Sequence, residues 1–197
     1  MKQYYIPYFP EKQKFNYLPV LYLYSVAAYS KTEKAYNRIA IQNLDELAKK
    51  INQQFGESVI SKATLSRVLN DKKYSDFFTY NKEQKEIILK NDFRNKPGAK
   101  EKKKFIVLSA AQFDFLVKRK DSLLIQYYFY LRYHCGSSKT GRTDSTAKQF
   151  LAASGYSVSS GSYISRISDY NGLLSSKGFI SIQKKKENGK ERNIYSC

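Results

Sequence analysis

The chain has 197 residues, and its 35 Lys and Arg against 17 Asp and Glu give a net charge of +18. A domain this basic usually has a polyanionic partner, of which nucleic acid is the commonest. Two cysteines argue against a disulfide framework, and apolar stretches of only about a dozen residues, dense with Tyr, argue against a membrane segment. No apolar signal-peptide region is recognisable at the start, so we expect a cytoplasmic protein without a membrane partner.

Two helices are predicted in the first quarter of the chain. Residues 18–29 (LPVLYLYSVAAY) predict an aromatic helix. Residues 44–51 predict a second, amphipathic helix, since their apolar side chains recur at helical spacing and Asn43 is a suitable N-cap. This second helix is expected to support the one that follows it.

Residues 61–70 (SKATLSRVLN) predict a third helix, and this segment is the most informative in the chain. Leu65, Val68 and Leu69 fall on one apolar face. Short polar or forked side chains occupy the other faces and suit phosphates and base edges, which is the helix-turn-helix pattern. The alternative is an ordinary surface helix with solvated cations. The candidate DNA contacts are Ser61, Lys62, Ala63, Thr64, Ser66 and Arg67.

A β-hairpin is predicted directly after the third helix. Its strands would be 77–80 and 86–89, separated by a polar turn at 81–84. Three helices followed by such a hairpin form a winged helix, in which cations beside the hairpin contact phosphates. The candidates here are Lys72, Lys73, Lys82 and Lys85.

A linker is predicted where the chain becomes highly charged and nearly free of apolar residues. Residues 91–104 (NDFRNKPGAKEKKK) contain Pro97-Gly98 and a charge run typical of a solvated connection. The expected organisation is a first domain at 1–95, a basic linker at 96–104 and a second domain at 105–197. Each domain then has an ordinary size.

The second domain is expected to open with a strand at 105–108 and a helix at 110–119 capped by Ser109. The strand could join the small sheet of the second domain or pack between the domains, and the sequence leaves both possibilities open.

The rest of the second half repeats the plan of the first half. The recurring feature is a Ser-Arg pair on a short helix, since Leu65-Ser66-Arg67-Val68 has a counterpart in Ile164-Ser165-Arg166-Ile167. An Asn188-Gly189 turn between β-rich runs is a strong hairpin signal. The predicted elements are an aromatic helix at 123–135, a capped helix at 144–153 closed by Ser154-Gly155, the Ser-Arg helix at 159–167, and strands at 179–182 and 193–195.

The second Ser-Arg helix and its hairpin supply the remaining candidate contacts. Most of the Tyr and Phe residues are predicted to be core, although Tyr163, Tyr170 and Tyr195 could touch DNA. The candidates on the helix are Ser159, Ser160, Ser162, Tyr163, Ser165 and Arg166, and those on the hairpin are Lys184, Lys185, Lys186, Lys190 and Arg192.

No catalytic site is predicted. The single His134 lies next to Cys135, without the clustered ligands that zinc requires, and one histidine cannot supply the pair of metal ligands of rolling-circle initiators. The chain has no G-x-x-x-x-G-K-[ST] phosphate loop. Tyr195 lacks the arrangement of a recombinase nucleophile. We therefore expect a protein that is not an enzyme and needs no metal or cofactor.

The segment 61–70 resembles the recognition helix of LacI-type repressors, in which the pattern S-x-x-T-V-S-R-V-L-N recurs. This resemblance implies that Lys62, Ala63 and Arg67 face bases and that Thr64 and Ser66 contact the DNA backbone. It covers about ten residues. The segment 52–60 is longer than the turn of that family, and no sugar-binding domain follows.

Most of 105–197 is similar to the N-terminal winged helices of DnaD-like and phage replication proteins. The shared order is a Leu- and Tyr-rich helix, the segment TAKQFLAASGY, a Ser-Arg helix, a Leu-Leu and Lys-Gly-Phe-Ile segment, and a basic Asn-Gly wing ending in Tyr. Two tandem winged helices with a basic linker look like plasmid and phage replication initiators. The resemblance implies DNA binding more strongly than it implies replication.

The sequence therefore predicts a mainly α protein with small β-hairpins (α+β), built as two tandem winged helix-turn-helix domains. The expected function is sequence-specific binding of double-stranded DNA, in the replication initiation of a plasmid, phage or other mobile element, with helicase or primase as a further partner. One alternative is a transcriptional repressor. Another is a protein-interaction module or a non-specific binder of single strands or RNA. The sequence is compatible with a monomer or a homodimer.

Overall fold

The computed structural model describes residues 3–10, 12–30, 35–56, 58–90, 105–187 and 190–197. Helices and small antiparallel sheets make up the fold, which is of the α+β class that the sequence predicts. The chain divides into two compact units. Unit 1 comprises Met1–Pro7 and Tyr17–Lys120, and unit 2 comprises Tyr8–Asn16 and Asp121–Cys197.

The described part of unit 1 combines helices with two antiparallel sheets. In chain order it contains strand β1 (Gln3–Pro7), helix α1 (Leu18–Val26), strands β2 (Ala28–Ser30) and β3 (Ala35–Ala40), helices α2 (Leu44–Phe55) and α3 (Lys62–Asn70), a 3₁₀ turn (Lys72–Tyr74), strands β4 (Phe78–Asn81), β5 (Glu86–Leu89) and β6 (Phe105–Ser109), and helix α4 (Ala110–Arg119). One sheet has the order β2-β3-β5-β4, and β1 pairs with β6 in the other. Helix α1 is buried from Pro19 to Val26, because apolar and aromatic residues surround its axis.

Unit 2 is built around the second aromatic helix. In chain order it contains helix α5 (Ser122–Ser137), strand β7 (Arg142–Thr143), helices α6 (Ala147–Ala153) and α7 (Gly161–Ser176), and strands β8 (Ser181–Glu187) and β9 (Lys190–Ser196). The sheet order is β7-β9-β8, so the last strand lies in the middle. The segment 8–16 completes this unit: the Lys14 N–H donates to the Ser154 carbonyl at 2.9 Å, and the Tyr8 ring packs edge-on against Phe129.

Residues 105–120 belong to unit 1, whereas the sequence placed them in the second domain. All five residues of β6 pair with β1, from Gln3 opposite Ser109 to Pro7 opposite Phe105. The ring of Phe113 in α4 stacks on a tyrosine of β1 with the centroids 3.8 Å apart. Strand β6 thus pairs within unit 1, which is neither of the two possibilities that the sequence left open. The linker predicted at 96–104 lies outside the described residues.

Fragments split in the predicted linker should therefore remain associated. Fragment 1–95 lacks β6 and α4 of unit 1, and fragment 105–197 lacks the segment 8–16 of unit 2. Each fragment alone leaves apolar surface of its own unit exposed. Co-expression of 1–95 with tagged 96–197 should give a complex that survives affinity purification. Fragment 1–120, which keeps all of unit 1, is the control and should unfold cooperatively by itself. Independent folding of both 1–95 and 105–197 would contradict this division.

The ends of two helices in unit 2 differ from the prediction. Helix α6 begins at Ala147 and not at Asp144, because Thr146 is the N-cap and forms a capping box with Gln149. Helix α7 continues to Ser176, far beyond the predicted end at 167. In unit 1, the predicted helix at 110–119 and both strands of the first hairpin are confirmed to within a residue. The Asn188-Gly189 turn lies outside the described residues.

Candidate nucleic-acid interface

One asparagine side chain holds the turn between α2 and α3. Asn52 donates from Nδ2 to the Ile60 carbonyl at 2.9 Å, and its Oδ1 accepts the Ile60 N–H at 3.0 Å. The next residue, Ser61, accepts the Thr64 N–H at 3.1 Å and is confirmed as the N-cap of α3. Gly56 ends α2 with a φ of 105°, a conformation that favours glycine. The start of α3 is thus tied to the last turns of α2.

Replacing Asn52 by alanine should destabilise unit 1 by about 1–3 kcal/mol, because the buried backbone groups of Ile60 lose both partners. Chemical denaturation followed by circular dichroism measures this change. The control is Gln53→Ala at the neighbouring exposed position of α2, which should change stability by less than about 0.5 kcal/mol. Equal denaturation midpoints for the two variants would show that the turn does not depend on Asn52.

Helix α3 presents a polar face directly away from the core. Its three apolar residues of the predicted stripe are at most 8 % exposed. The helical repeat then turns Ala63, Arg67 and Asn70 outward, and all three are exposed. Arg67 makes no hydrogen bond or ion pair with any residue that the structure describes. Its guanidinium is therefore available to a ligand on this face.

The other predicted contact residues of α3 are partly engaged. Lys62 forms an exposed ion pair with Asp45 of α2, with Nζ 2.7 Å from Oδ2. Such surface pairs contribute little, so DNA could replace this partner at small cost. Ser61 and Thr64 hydrogen-bond to each other at the helix start. Ser66 is half-buried. Lys62 remains near the outward face, whereas the hydroxyls at the start of α3 stabilise the helix.

Asn70 is a candidate contact that the sequence analysis did not include. It lies one turn after Arg67 on the outward face, and its Nδ2 donates to the Ser66 carbonyl at 2.7 Å. Its Oδ1 accepts no hydrogen bond from the described residues. An asparagine amide can pair with an adenine edge through both its donor and its acceptor. The i, i+3 spacing from Arg67 was the signal available in the sequence.

Cations follow α3 in the 3₁₀ turn and in the β4–β5 turn. Lys72 and Lys73 are exposed, and Lys73 lies 3.1 Å from the carboxylate of Asp71. A hydrogen bond from the Lys73 backbone, together with its ammonium group, lowers the pKa of Asp71. Lys82 and Lys85 are exposed in the hairpin turn. Four predicted cations thus lie on the two segments that follow the outward helix.

A groove of 240 Å³ connects the end of α3 with the sheet edge. Its rim includes Asn70, Lys72 and Lys90, and Thr79 and Tyr80 of the edge strand β4 form another side. The end of α3, the 3₁₀ turn and the sheet edge therefore line one groove.

The second Ser-Arg helix directs its arginine differently. The Arg166 Nη2 lies 3.1 Å from both carboxylate oxygens of Asp121 and donates to the Tyr170 hydroxyl at 2.7 Å. The Tyr170 hydroxyl in turn donates to Asp121 at 2.5 Å. Asp121 also caps α5 by accepting the Leu123 and Leu124 N–H groups. Arg166 is thus part of a polar network that joins α7 to the start of α5.

The outward face of α7 is made of small and acidic residues. Ile167, Tyr170 and Leu174 are its buried positions. The side opposite to them presents Ser165, Asp169 and other small residues, without a cation. Among the remaining candidates, Ser159 and Ser162 are exposed, Ser160 and Ser162 hydrogen-bond to each other at 2.9 Å, and Tyr163 is half-buried with its ring 5.1 Å from that of Tyr156.

The hairpin of unit 2 carries the cations of this unit. Lys184, Lys185 and Lys186 are exposed on β8, and β9 begins at Lys190. Register pairs Lys185 with Arg192, which places these two cations on the same sheet face. Two acids offset part of this charge, since Lys184 lies 3.3 Å from Glu191 and Arg192 lies 3.6 Å from Asp144. A groove of 410 Å³ separates the hairpin from α7 and the start of α6.

Two tyrosines considered as DNA contacts belong to the core. Tyr170 and Tyr195 are 7 % and 2 % exposed, so the expectation that they touch DNA is wrong. The Tyr195 hydroxyl accepts from the side chains of Asn171 and Asn193. Asn171 in turn accepts the Tyr127 hydroxyl at 2.6 Å. These groups form an internal network that supports the middle strand of the sheet.

Comparison with known proteins adds no functional assignment. No protein-family model, curated protein or solved structure matches the chain. Within the described residues there is no group of three or more His, Cys, Asp or Glu placed to hold a metal ion. Across the same residues, no helix has both the length and the apolar character needed to cross a membrane. The functional conclusion therefore depends on the side chains of the two outward helices and hairpins.

Proposed function

We propose that this chain is a sequence-specific double-stranded DNA-binding protein in which α3 of unit 1 lies in the major groove. The observation that carries the proposal is Arg67, an exposed arginine at the centre of the outward face of α3, which makes no hydrogen bond or ion pair with the described residues. Arginine pairs with guanine through two hydrogen bonds, the commonest specific contact in the major groove. Asn70 lies one turn further along the same face and suits adenine.

The proposal includes the assignment of both units as winged helices. Unit 2 has the order helix, strand, helix, helix, strand and strand, and from α1 to β5 unit 1 has the same order except that two strands, β2 and β3, lie between its first two helices. In both sheets the second strand of the hairpin is an inner strand, since β5 lies between β3 and β4 in the four-stranded sheet of unit 1 and β9 lies between β7 and β8 in unit 2. This order supports a helix-turn-helix followed by a wing, in which the third helix enters the groove and the wing contacts phosphates.

Net charge supports a duplex as the partner. A charge of +18 attracts any polyanion and releases its counterions on binding. Two basic units in one chain can contact two half-sites, which suits an origin of replication. We therefore keep replication initiation of a mobile element as the proposed role, with repression of transcription as the other role that the same contacts would serve.

Competition at fixed salt tests the partner class. The full chain is mixed with a labelled duplex selected for binding, and unlabelled random duplex, single-stranded DNA and RNA are added separately as competitors. The selected duplex should displace the probe at about a thousandfold lower concentration than random duplex. Equal competition by single strands or RNA would overturn the proposal in favour of a non-specific binder.

The two units are expected to contribute differently to binding. Unit 1 presents Arg67 outward, whereas in unit 2 the corresponding Arg166 is held by Asp121. Lys184, Lys185 and Lys186 offer charge without the fork that reads a base. Unit 2 should therefore supply affinity for the DNA backbone, and unit 1 should supply sequence preference.

Neutralising Lys184, Lys185 and Lys186 to glutamine should flatten the dependence of log K on log salt by about two to three units, because three phosphate contacts are lost. Site preference should be unchanged. Fluorescence anisotropy at several salt concentrations measures the slope. The control variant replaces the three cations at 118–120, at the end of α4, by glutamine. It removes the same number of cations and should leave the slope nearly unchanged. Loss of site preference at constant slope would assign sequence reading to this wing.

A second function is favoured by one observation in unit 2. The outward face of α7 combines serines and glycine with Asp169 and has no cation, which suits a phosphate backbone poorly. We propose that this face of α7 binds a protein, such as a helicase or primase, while the hairpin of unit 2 contacts the DNA backbone. Replacing Asp169 by lysine then weakens that protein interaction without reducing affinity for DNA.

A further inference from the structure

Two cysteine thiols meet in unit 2. Cys135 lies near the end of α5 and is 3 % exposed, whereas Cys197 follows β9 and is exposed. The two sulfur atoms are 2.9 Å apart, although 62 positions separate the residues in the sequence. Both are free thiols. Because a disulfide bond is about 2.05 Å long, the sulfur atoms need to approach by less than about 1 Å.

We propose that Cys135 and Cys197 form a reversible intramolecular disulfide when the protein meets a low-molecular-weight disulfide such as oxidised glutathione. The inference does not depend on DNA binding. The sulfur of the exposed Cys197 first attacks oxidised glutathione, which releases one glutathione and leaves a mixed disulfide. The Cys135 sulfur then attacks the Cys197 sulfur and displaces the second glutathione. The protein loses two hydrogen atoms, and the oxidant gains them as two thiols.

One neighbouring charge favours this second step. In the reduced pair the hydrogen bond with Cys197 lowers the pKa of Cys135, burial opposes this change, and the Arg132 guanidinium lowers the pKa further. The hydrogen bond is lost once Cys197 carries glutathione, whereas Arg132 remains beside Cys135. Thiolate is the form of cysteine that attacks a disulfide. The hydrogen bond with Cys135, together with burial, raises the pKa of Cys197, so the first step requires Cys197 to lose its proton to solvent. The Tyr195 carbonyl lies 3.5 Å from the Cys135 sulfur, which places the end of β9 directly beside α5. Cys135 is thus positioned to resolve an adduct on Cys197.

The disulfide would join helix α5 to the end of strand β9. Helix α5 is the central helix, and β9 is the middle strand of the sheet whose hairpin bears Lys184 and Arg192. A cross-link over 62 residues lowers the entropy of the unfolded chain. Oxidation should raise the melting temperature of unit 2 by about 5–10 °C. It should also slow amide exchange along β9.

Mass spectrometry of the full chain titrated with oxidised glutathione tests the proposal. The wild type should lose two hydrogen atoms and both free thiols without retaining glutathione. Trypsin cleaves after Arg132, Lys139 and Arg192, so the peptides 133–139 and 193–197 should appear as one cross-linked species. Cys135→Ser should accumulate glutathione on Cys197, because the resolving sulfur is gone. Cys197→Ser should remain unmodified, because Cys135 is buried.

Other results would overturn the proposal. They are a wild-type protein that keeps glutathione on Cys197, one that retains both thiols, or one that forms dimers linked through Cys197 on a non-reducing gel. Because Cys135→Ser alters a buried position, its fold is checked by circular dichroism. The cross-linked peptide from the wild type decides the question independently of that variant.

Discussion

Replacing Arg67 by alanine should reduce affinity for the selected DNA site about 5- to 150-fold, which corresponds to about 1–3 kcal/mol. The arginine lies on the outward face of α3 and makes no hydrogen bond or ion pair with the described residues, so its removal leaves the core intact. Affinity for random duplex should fall much less. The specificity ratio, which is the affinity for the selected site divided by the affinity for random duplex, should therefore decrease. Fluorescence anisotropy with both duplexes measures this ratio, and base preference should relax at one or two positions of the site.

Two control variants separate base reading from charge. Arg67→Lys keeps the positive charge but loses the fork, so it should keep affinity for random duplex and lose much of the preference for the selected site. Lys82→Ala in the β4–β5 turn removes one exposed cation and should weaken all duplexes by a similar factor. If Arg67→Ala left the specificity ratio unchanged, α3 would not be the helix that reads the sequence.

Local signals in the sequence predicted much of the fold. Asn43, Ser61 and Ser109 are confirmed as N-caps because each cap depends on a serine or asparagine only three residues from the amide that it accepts. The first hairpin was predicted because its turn and its strands are adjacent in the chain. The apolar stripe of α3 was also predicted correctly, since it requires only helical spacing.

These local signals could not predict which strands pair when the strands are distant in sequence. Strand β1 pairs with β6 through residues about half the chain apart, and no pattern in 3–7 specifies that partner. Strand β7 has only two residues and is a strand because β9 lies beside it. The exchange of segments between the two units follows from such contacts, so the predicted boundary at 96–104 could not anticipate it.

The repeated Ser-Arg pair illustrates how similar sequences acquire different surroundings. Arg67 is followed by Val68 and Leu69, which are buried on the opposite face of α3, so Arg67 faces away from the core. Arg166 is followed by Ile167 and Tyr170, which are buried on the adjacent face of α7. Arg166 therefore lies at the edge of the core, where its guanidinium pairs with Asp121. The spacing of these apolar residues contained that information. The ion pair of Arg166 with Asp121 could not be predicted in this way, because Asp121 is distant in sequence.

Replacing Asp121 by alanine should destabilise unit 2 by about 2–4 kcal/mol, the largest loss of stability that we predict. The carboxylate caps α5, pairs with Arg166 and accepts the Tyr170 hydroxyl, so one substitution removes three interactions. Asp121→Asn keeps an oxygen for the cap and should lose about half as much. Arg166→Ala should add little to Asp121→Ala, because the two residues act through the same network.

The stability that Asp121 supplies should also depend on pH. Burial raises its pKa, but hydrogen bonds from Tyr170, Leu124 and Arg166 lower it by more, so the net pKa lies below the ordinary value near 3.9. A lowered folded-state pKa means that the carboxylate stabilises unit 2 fully above about pH 4 and loses this effect as the pH falls through the folded pKa. Wild type and Asp121→Asn should therefore differ at pH 7 and converge below pH 4 in denaturation experiments. A constant difference across this range would show that the charge of Asp121 does not stabilise the junction of α5 and α7.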